Sequence, residues 1–189
     1  MRLLLMAGLL SACGPALAWQ LQSLQVGHRG DDYRVAMQAL IAAPPARVFA
    51  QLADLSALSR LNPSVRSVQL GVLDAEGRWP LTTTVEFCLL AVCRELRHSQ
   101  RVRILPEGAT GGRIESQTEP PPASDFQRGE ARWQVSAEGS GSRLQFEASL
   151  QPGFWLPPLI GPWAVERWLR NEARLTVERL ELLSLEAAP

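Results

Sequence analysis

One segment, Ile41-Ala-Ala-Pro-Pro-Ala-Arg-Val-Phe-Ala-Gln-Leu-Ala-Asp54, carries the change from a strand pattern to a helix pattern. Before it, residues 33–41 alternate between polar and apolar side chains, which predicts a strand. Pro44-Pro45 ends that strand, because proline cannot donate to a sheet ladder. Residues 46–61 then have apolar side chains at helical spacing, which predicts one or two short helices that end at Asn62-Pro63. The apolar positions are Val48, Phe49, Leu52, Leu55 and Leu58.

The sequence beyond Asn62-Pro63 predicts six more strands and a long helix. The strands are residues 65–72, 79–87, 94–105, 111–118, 130–137 and 143–150, and turn residues such as Gly139-Ser-Gly-Ser142 separate them. The helix runs from about Pro162 to Leu183. One face of it collects Val165, Trp168, Leu169, Leu175, Thr176, Leu180 and Leu183. This order predicts an α+β fold, an antiparallel sheet of about seven strands closed by the C-terminal helix.

The first 18 residues have the order of a secretory signal. A positive start precedes an apolar run over residues 3–10, and small residues end in Ala16-Leu-Ala18. The run is too short to cross a bilayer. A second interpretation is a bacterial lipoprotein signal, because Leu10-Ser-Ala-Cys13 fits a cleavage box in which the cysteine is lipidated. A retained helix is disfavoured, because Gly14-Pro15 would break it. We therefore expect export to the periplasm, either free or tethered through Cys13.

Size and charge limit the function of the mature chain. Removing 18 of 189 residues leaves 171, which suits one domain over residues 19–189. The chain has 19 basic and 19 acidic residues, and every basic residue is arginine. Because no basic patch pattern is visible, we do not expect a nucleic-acid partner.

Two cysteines of the mature chain, Cys88 and Cys93, form an even pair. In an oxidising compartment such a pair predicts a disulfide, here across the neck of a hairpin. The spacing of Cys88, Cys93 and His98 also suggests a metal site. That site would have only three ligands and a disulfide would consume two of them, so we expect no metal.

The opening from Ile41 to Asp54, with Leu58 and Asn62-Pro63, resembles the START-like or helix-grip superfamily (SRPBCC). The closing half, from Gly129-Glu-Ala-Arg-Trp133 to the last helix, resembles it as well. The superfamily includes pollen-allergen-like, coenzyme Q-binding and polyketide cyclase/dehydrase-type proteins, and the resemblance covers about residues 31–185. It implies a curved sheet wrapped on the long helix, two short helices after the first strand, and a cavity for a lipid or other apolar molecule. It implies a container and not a particular chemistry.

Four residues are candidates for the wall of such a cavity. His98 and Gln100 share strand parity with Leu96 and Val102, so we expect both to point inward. His28, the second histidine, lies in a polar lead-in and is expected to be solvated. Glu172 and Trp168 lie on the apolar face of the last helix. A buried carboxylate needs a partner, so Glu172 should pair with an arginine or contact a ligand.

Three functions remain open from the sequence. The first is binding or transfer of a lipid or other hydrophobic small molecule. The second is a cyclase or dehydratase that uses His98 or Glu172 as acid or base. The third is a structural or interaction module with a filled core. The sequence lacks the common nucleophile, phosphate-binding and dinucleotide motifs, so it assigns no catalytic residue and no cofactor.

The predicted meander places its apolar loops at one end of the sheet. Because loops are normally polar, this end is expected to be a portal that contacts a membrane or an apolar partner, although the same side chains could plug the end as core. The portal residues are Leu89, Leu90, Phe154, Trp155, Leu156 and Trp163.

Overall fold

The computed structural model describes residues 20–89 and 92–186, with Leu89 described by its backbone alone. The predicted signal peptide, Cys13, the start of the mature chain at Trp19 and Leu90 lie outside the described residues. The described chain forms an eight-stranded antiparallel sheet in the order β1-β2-β8-β7-β6-β5-β4-β3. The strands are β1 Gln20–Arg29, β2 Asp32–Ile41, β3 Val65–Leu70, β4 Trp79–Leu89, β5 Val92–Pro106, β6 Gly112–Thr118, β7 Phe126–Glu138 and β8 Gly141–Pro152.

Helices occupy the two places that the sequence predicts. Helix α1, Pro45–Ala53, a 3-10 turn at Leu55–Ala57 and α2, Leu58–Leu61, follow β2. Proline in the first turn of α1 costs no hydrogen bond, since the first amides of a helix have no partner within the helix. The long helix α3, Gly161–Glu186, packs against α1, α2 and strands from both halves of the sheet. The α+β helix-grip fold is confirmed.

The described residues form eight strands and not the predicted seven or so, and the strand that the prediction missed is β1. The prediction treated this segment as a polar lead-in, but it pairs with β2 from Gln20–Leu40 to Arg29–Asp32. A register shift between Leu21 and Ser23 explains the miss, because an extra residue changes which face the following side chains occupy. Leu21 and Leu24 therefore both pack on the core although three positions separate them, and the pattern does not alternate.

The core between sheet and α3 is divided into two clusters. The larger one includes Met37, Phe49 and Leu144 and reaches α3 at Ala173, Val177 and Leu180. The smaller one includes Tyr33, Phe87, Leu96 and Phe126 and reaches α3 at Val165. The middle of α3, between these contacts, faces the candidate site.

Connections alternate between the two ends of the sheet, as expected for a meander. One end, which we call the apolar end, holds the β4–β5 turn, the β6–β7 loop and the β8–α3 connection. Gly153 N donates to Asp125 O at 2.8 Å, and the Phe154 ring lies 6.0 Å from that of Phe87. These contacts bring all three connections together. No helix among the described residues has both the length and the hydrophobicity needed to span a membrane.

The disulfide between Cys88 and Cys93 is confirmed. The two residues are paired across the β4–β5 ladder with their Cα atoms 4.0 Å apart. Both are exposed, and the ladder continues beyond them to Leu89 and Val92.

We expect loss of this disulfide to destabilise the protein modestly. The bond closes a short loop, so replacing both cysteines by serine should lower the free energy of unfolding by about 2 kcal/mol. Urea denaturation with and without a reductant measures this. Reduction should lower the stability of the wild type to that of the variant and leave the variant unchanged. A wild type that reductant does not affect would contradict the expectation.

Candidate functional site

A cavity of about 240 Å³ lies between the sheet and the middle of α3. Helix α3 contributes side chains from successive turns, which a helix stacks on one face, and the sheet contributes inward-facing positions of six strands. The helix wall consists of Trp168, Leu169, Glu172, Ala173 and Thr176. The sheet wall includes Tyr33, Val35, Val85, His98, Gln100, Ser116, Thr118, Phe126, Ala131, Trp133, Phe146, Ala148, Ser149 and Leu150.

Aromatic rings form much of the wall. Trp133 and Phe146 are cross-strand neighbours on β7 and β8, and their rings stack with centroids 4.0 Å apart. Trp168 meets Phe87 edge to face at 5.4 Å. These pairs are well suited to contact a flat or aliphatic molecule, since large rigid rings bury much apolar area at little entropic cost.

His98 lies on the cavity wall, as its strand parity predicts. Its Nε2 is 2.8 Å from the Thr118 hydroxyl, and its ring packs edge to face against Phe126 at 5.0 Å. The side chain is half-buried and lines the cavity. Burial therefore disfavours the imidazolium and lowers the pKa of His98 from 6.5 to about 4, so the side chain is neutral at pH 7.

The β6–β7 loop explains why Phe126 lies beside His98. This loop crosses the outer side of β5, where the Ser99 hydroxyl donates to Ala123 O at 2.7 Å. The Arg97 amide donates to the Asp125 carboxylate at 2.6 Å, and Asp125 N donates back to Arg97 O at 2.8 Å. The loop is thereby fixed to the strand that carries His98.

We expect His98 to make the protein less stable in acid. Between pH 6.5 and about 4 the unfolded chain binds a proton at this histidine that the folded chain does not bind. The stabilisation that neutral His98 gives the folded state is therefore complete above pH 6.5. It is lost as the pH falls toward 4, which lowers the free energy of unfolding by at most about 3 kcal/mol. Urea denaturation of the wild type and His98→Gln from pH 7.5 to 4.5 measures it. The variant should lose less stability on acidification, and parallel losses would contradict the assignment.

Glu172 faces the same cavity from α3. The Ser64 hydroxyl donates to its carboxylate at 3.0 Å, and Ser64 N donates to the Asn62 side chain at 2.9 Å. Asn62 also donates to the Thr176 hydroxyl at 3.2 Å, so α3 and the segment after α2 are joined by a polar network. Burial raises the pKa of Glu172, and hydrogen bonds from Asn62, Ser64 and Asn171 partly oppose the rise.

The pairing of Glu172 with an arginine was one of two expectations and is not what the structure contains. Within the described residues its hydrogen bonds come from uncharged side chains, those of Ser64, Asn62 and Asn171, and no ion pair involves it. Asn62, Ser64 and Thr118 are therefore site residues that the sequence prediction missed. Asn62 was interpreted only as a helix terminator. Thr118 could have been found, because it shares parity with buried Ile114 on β6.

Two further expectations concerned Gln100 and His28. Gln100 lies on the cavity wall beside His98. His28 is exposed, as expected, but it belongs to β1 and not to a lead-in, and its Nδ1 is 2.8 Å from Glu166 of α3. The Arg170 side chain donates to Val26 O at 2.8 Å, so two contacts hold the edge strand on the helix.

The portal residues separate into buried and exposed groups. Phe154 packs against Phe87 and Phe126, as the core interpretation expected, and Leu156 is half-buried. Trp155 and Trp163 instead expose 77% and 56% of their surface, and Leu159 exposes 95%. Arginines flank this surface, with Arg94 4.9 Å from the Phe154 ring centre and Arg167 5.8 Å from that of Trp163. The side chain of Leu89, like Leu90, lies outside the described residues.

Several solved structures share this fold. A protein of Thermus thermophilus, TTHA0849, is 21% identical, with 82% of this chain and 99% of that chain covered at a TM-score of 0.64. A STAR-related lipid transfer protein of Xanthomonas axonopodis is 13% identical, with 86% of this chain and 98% of that chain covered at a TM-score of 0.61. Human STARD10 is 13% identical, with 94% of this chain and 77% of that chain covered at a TM-score of 0.60. At these identities the likeness establishes the fold alone.

A sequence profile gives the family. The profile described as polyketide cyclase/dehydrase and lipid transport matches residues 32–183, from β2 to the last turns of α3. No significant match was found among curated proteins. The match spans most of the chain and includes both walls of the cavity, so this protein belongs to the polyketide cyclase/dehydrase and lipid transport family.

Proposed function

We propose that this protein binds a compact hydrophobic molecule in the cavity between the sheet and α3 and carries it to or from a membrane. The observation that carries the proposal is the cavity itself, an aromatic and aliphatic space of about 240 Å³ with a few convergent polar groups. Its volume lies just below the range of about 300–1,000 Å³ that is usual for sites of drug-sized ligands. The ligand is therefore small, or it enters by one chain or ring.

The cavity argues against a structural module with a filled core. Close-packed interiors contain few voids larger than a water molecule, and a void between the two core clusters forgoes packing contacts. Such a void is expected where a ligand replaces those contacts.

We propose that the apolar end is the portal and that it docks on a lipid surface. Exposed Trp155, Leu159 and Trp163 surround the start of α3, which also contributes Trp168 to the cavity. Tryptophan is favoured at the membrane interface, and the flanking Arg94 and Arg167 would contact anionic headgroups. These side chains favour a lipid surface over an uncharged protein partner.

A second candidate function is acid–base catalysis on the bound molecule. His98 and Glu172 face one cavity from opposite walls, and burial shifts both toward the neutral form. A neutral imidazole can accept a proton, and a raised pKa makes the Glu172 carboxyl a better proton donor than an ordinary carboxyl, which together form the acid–base pair that a cyclisation or dehydration requires. Release of the bound molecule unchanged would support binding and transfer, and a product with altered mass would support catalysis.

We also propose that the protein acts outside the cytoplasm. The exposed Cys88–Cys93 disulfide supports this, since such bonds persist in oxidising compartments. The N-terminal mass of protein isolated from its host distinguishes a chain that starts at Trp19 from one acylated at Cys13.

Titration with N-phenyl-1-naphthylamine, an uncharged probe whose fluorescence rises in apolar surroundings, tests the binding proposal. We expect saturable binding of one probe per chain, and competition by other hydrophobic molecules. A signal that rises linearly with probe concentration, without saturation, would contradict a defined site.

A further inference from the structure

The described part of the cavity wall contains acidic groups but no permanent cation. Among the described residues that line it, the ionisable ones are Tyr33, His98 and Glu172, with exposed Glu130 at the margin. No arginine is among them, and the chain has no lysine. Arg101 and Arg103 of β5 instead lie on the outer face of the sheet, and Arg101 pairs there with Glu119 at 2.8 Å.

His98 does not supply the missing positive charge. Its Nε2 already has a partner in the Thr118 hydroxyl at 2.8 Å, and Phe126 covers one edge of the ring. Burial lowers its pKa to about 4, so near neutral pH it is an uncharged polar group.

Glu172 is available as a hydrogen-bond acceptor. Its carboxylate has about four lone-pair positions, and the hydrogen bonds from Ser64 (at 3.0 Å), Asn62 and Asn171 leave at least one of them for a ligand. A ligand hydroxyl that donates to this carboxylate would form a charge-assisted hydrogen bond. A ligand carboxylate in the same place would be a second, unpaired anion out of water, which is strongly unfavourable.

We propose that the cavity selects uncharged hydrophobic molecules that carry a hydroxyl group, such as alcohols and phenols, and rejects carboxylates such as free fatty acids. This inference rests on the proposed binding function and adds the chemical class of its ligand.

A matched series of naphthalenes tests the proposed binding function and the proposed ligand class separately. Its members carry a methyl, hydroxymethyl, carboxylate or aminomethyl group at the same ring position, and each displaces N-phenyl-1-naphthylamine at pH 7.5. We expect the hydroxymethyl compound to bind at least as tightly as the methyl compound and the carboxylate at least tenfold more weakly. The methyl compound tests the cavity without a polar group.

Each outcome has one meaning. If no member binds, the proposed function fails together with the inference. If the methyl compound binds but the carboxylate matches the hydroxymethyl compound, the function stands and the charge selection is wrong. Tightest binding of the aminomethyl cation would overturn the choice of an uncharged ligand.

Variants assign the selection to Glu172. Glu172→Gln removes the negative charge and keeps the size, so the ratio of hydroxymethyl to carboxylate affinity should fall severalfold. Glu178→Gln changes an exposed glutamate of the same helix outside the cavity and should leave the ratio unchanged. An equal ratio in the wild type and Glu172→Gln would contradict the role of Glu172.

Discussion

Replacing Ala148 by phenylalanine should weaken probe binding by more than tenfold while the protein stays folded. Ala148 lies on β8 in the sheet wall, opposite Val35 of β2 and Ala131 of β7. A phenyl ring at this position would occupy space that the ligand needs. Because it fills a void and does not crowd a packed core, the midpoint of thermal unfolding should stay the same or rise.

Ala36→Phe is the matched control. Ala36 is exposed on the outer face of β2, opposite Glu147, so the same ring is added away from the cavity. Probe affinity should match that of the wild type. The smaller change Ala148→Leu should give an intermediate loss of probe affinity. It replaces Ala148→Phe in the test if the phenyl ring disturbs folding. Full affinity in both Ala148 variants would place the probe outside the cavity.

Replacing Trp155 and Leu159 by serine should reduce binding to anionic vesicles at least tenfold. Both side chains are largely exposed and contribute little to the core, so the thermal midpoint should change little. Burial of such side chains in the interface is worth about 1.5–3 kcal/mol each, which explains the size of the loss. Sedimentation with vesicles of phosphatidylglycerol and phosphatidylcholine measures it.

Val72→Ser with Leu73→Ser is the control for this test. These residues expose 86% and 46% of their surface at the opposite end of the sheet. The control should bind vesicles as the wild type does, and added salt should weaken binding if Arg94 and Arg167 contact headgroups. A wild type that does not bind vesicles, or equal losses of vesicle binding in both double variants, would contradict docking on a membrane.

The sequence predicted the elements whose hydrophobic period is uninterrupted. Residues 33–41 and 46–61 gave the first predicted strand and the short helices, and the alternation around His98 gave its inward orientation. Helix α3 was located within a few residues of its bounds, Gly161–Glu186. In each case a long run of positions shares one environment, so the pattern is repeated often enough to be recognised.

Features that depend on one irregular position or on a distant contact could not be predicted. The register shift before Ser23 concealed β1. The contact of Ser64 with Glu172 joins residues 108 positions apart, and no local pattern indicates it. Glu181 is fully buried on α3 and accepts from Ala42 N at 3.2 Å, although charge alone favours an exposed position.

Native mass spectrometry after incubation with a total bacterial lipid extract tests directly whether the cavity holds a ligand. We expect a complex of one chain with one hydrophobic molecule for the wild type and for Ala36→Phe, and none for Ala148→Phe. A wild type without a bound molecule, or an equally abundant complex with Ala148→Phe, would contradict binding in the cavity between the sheet and α3.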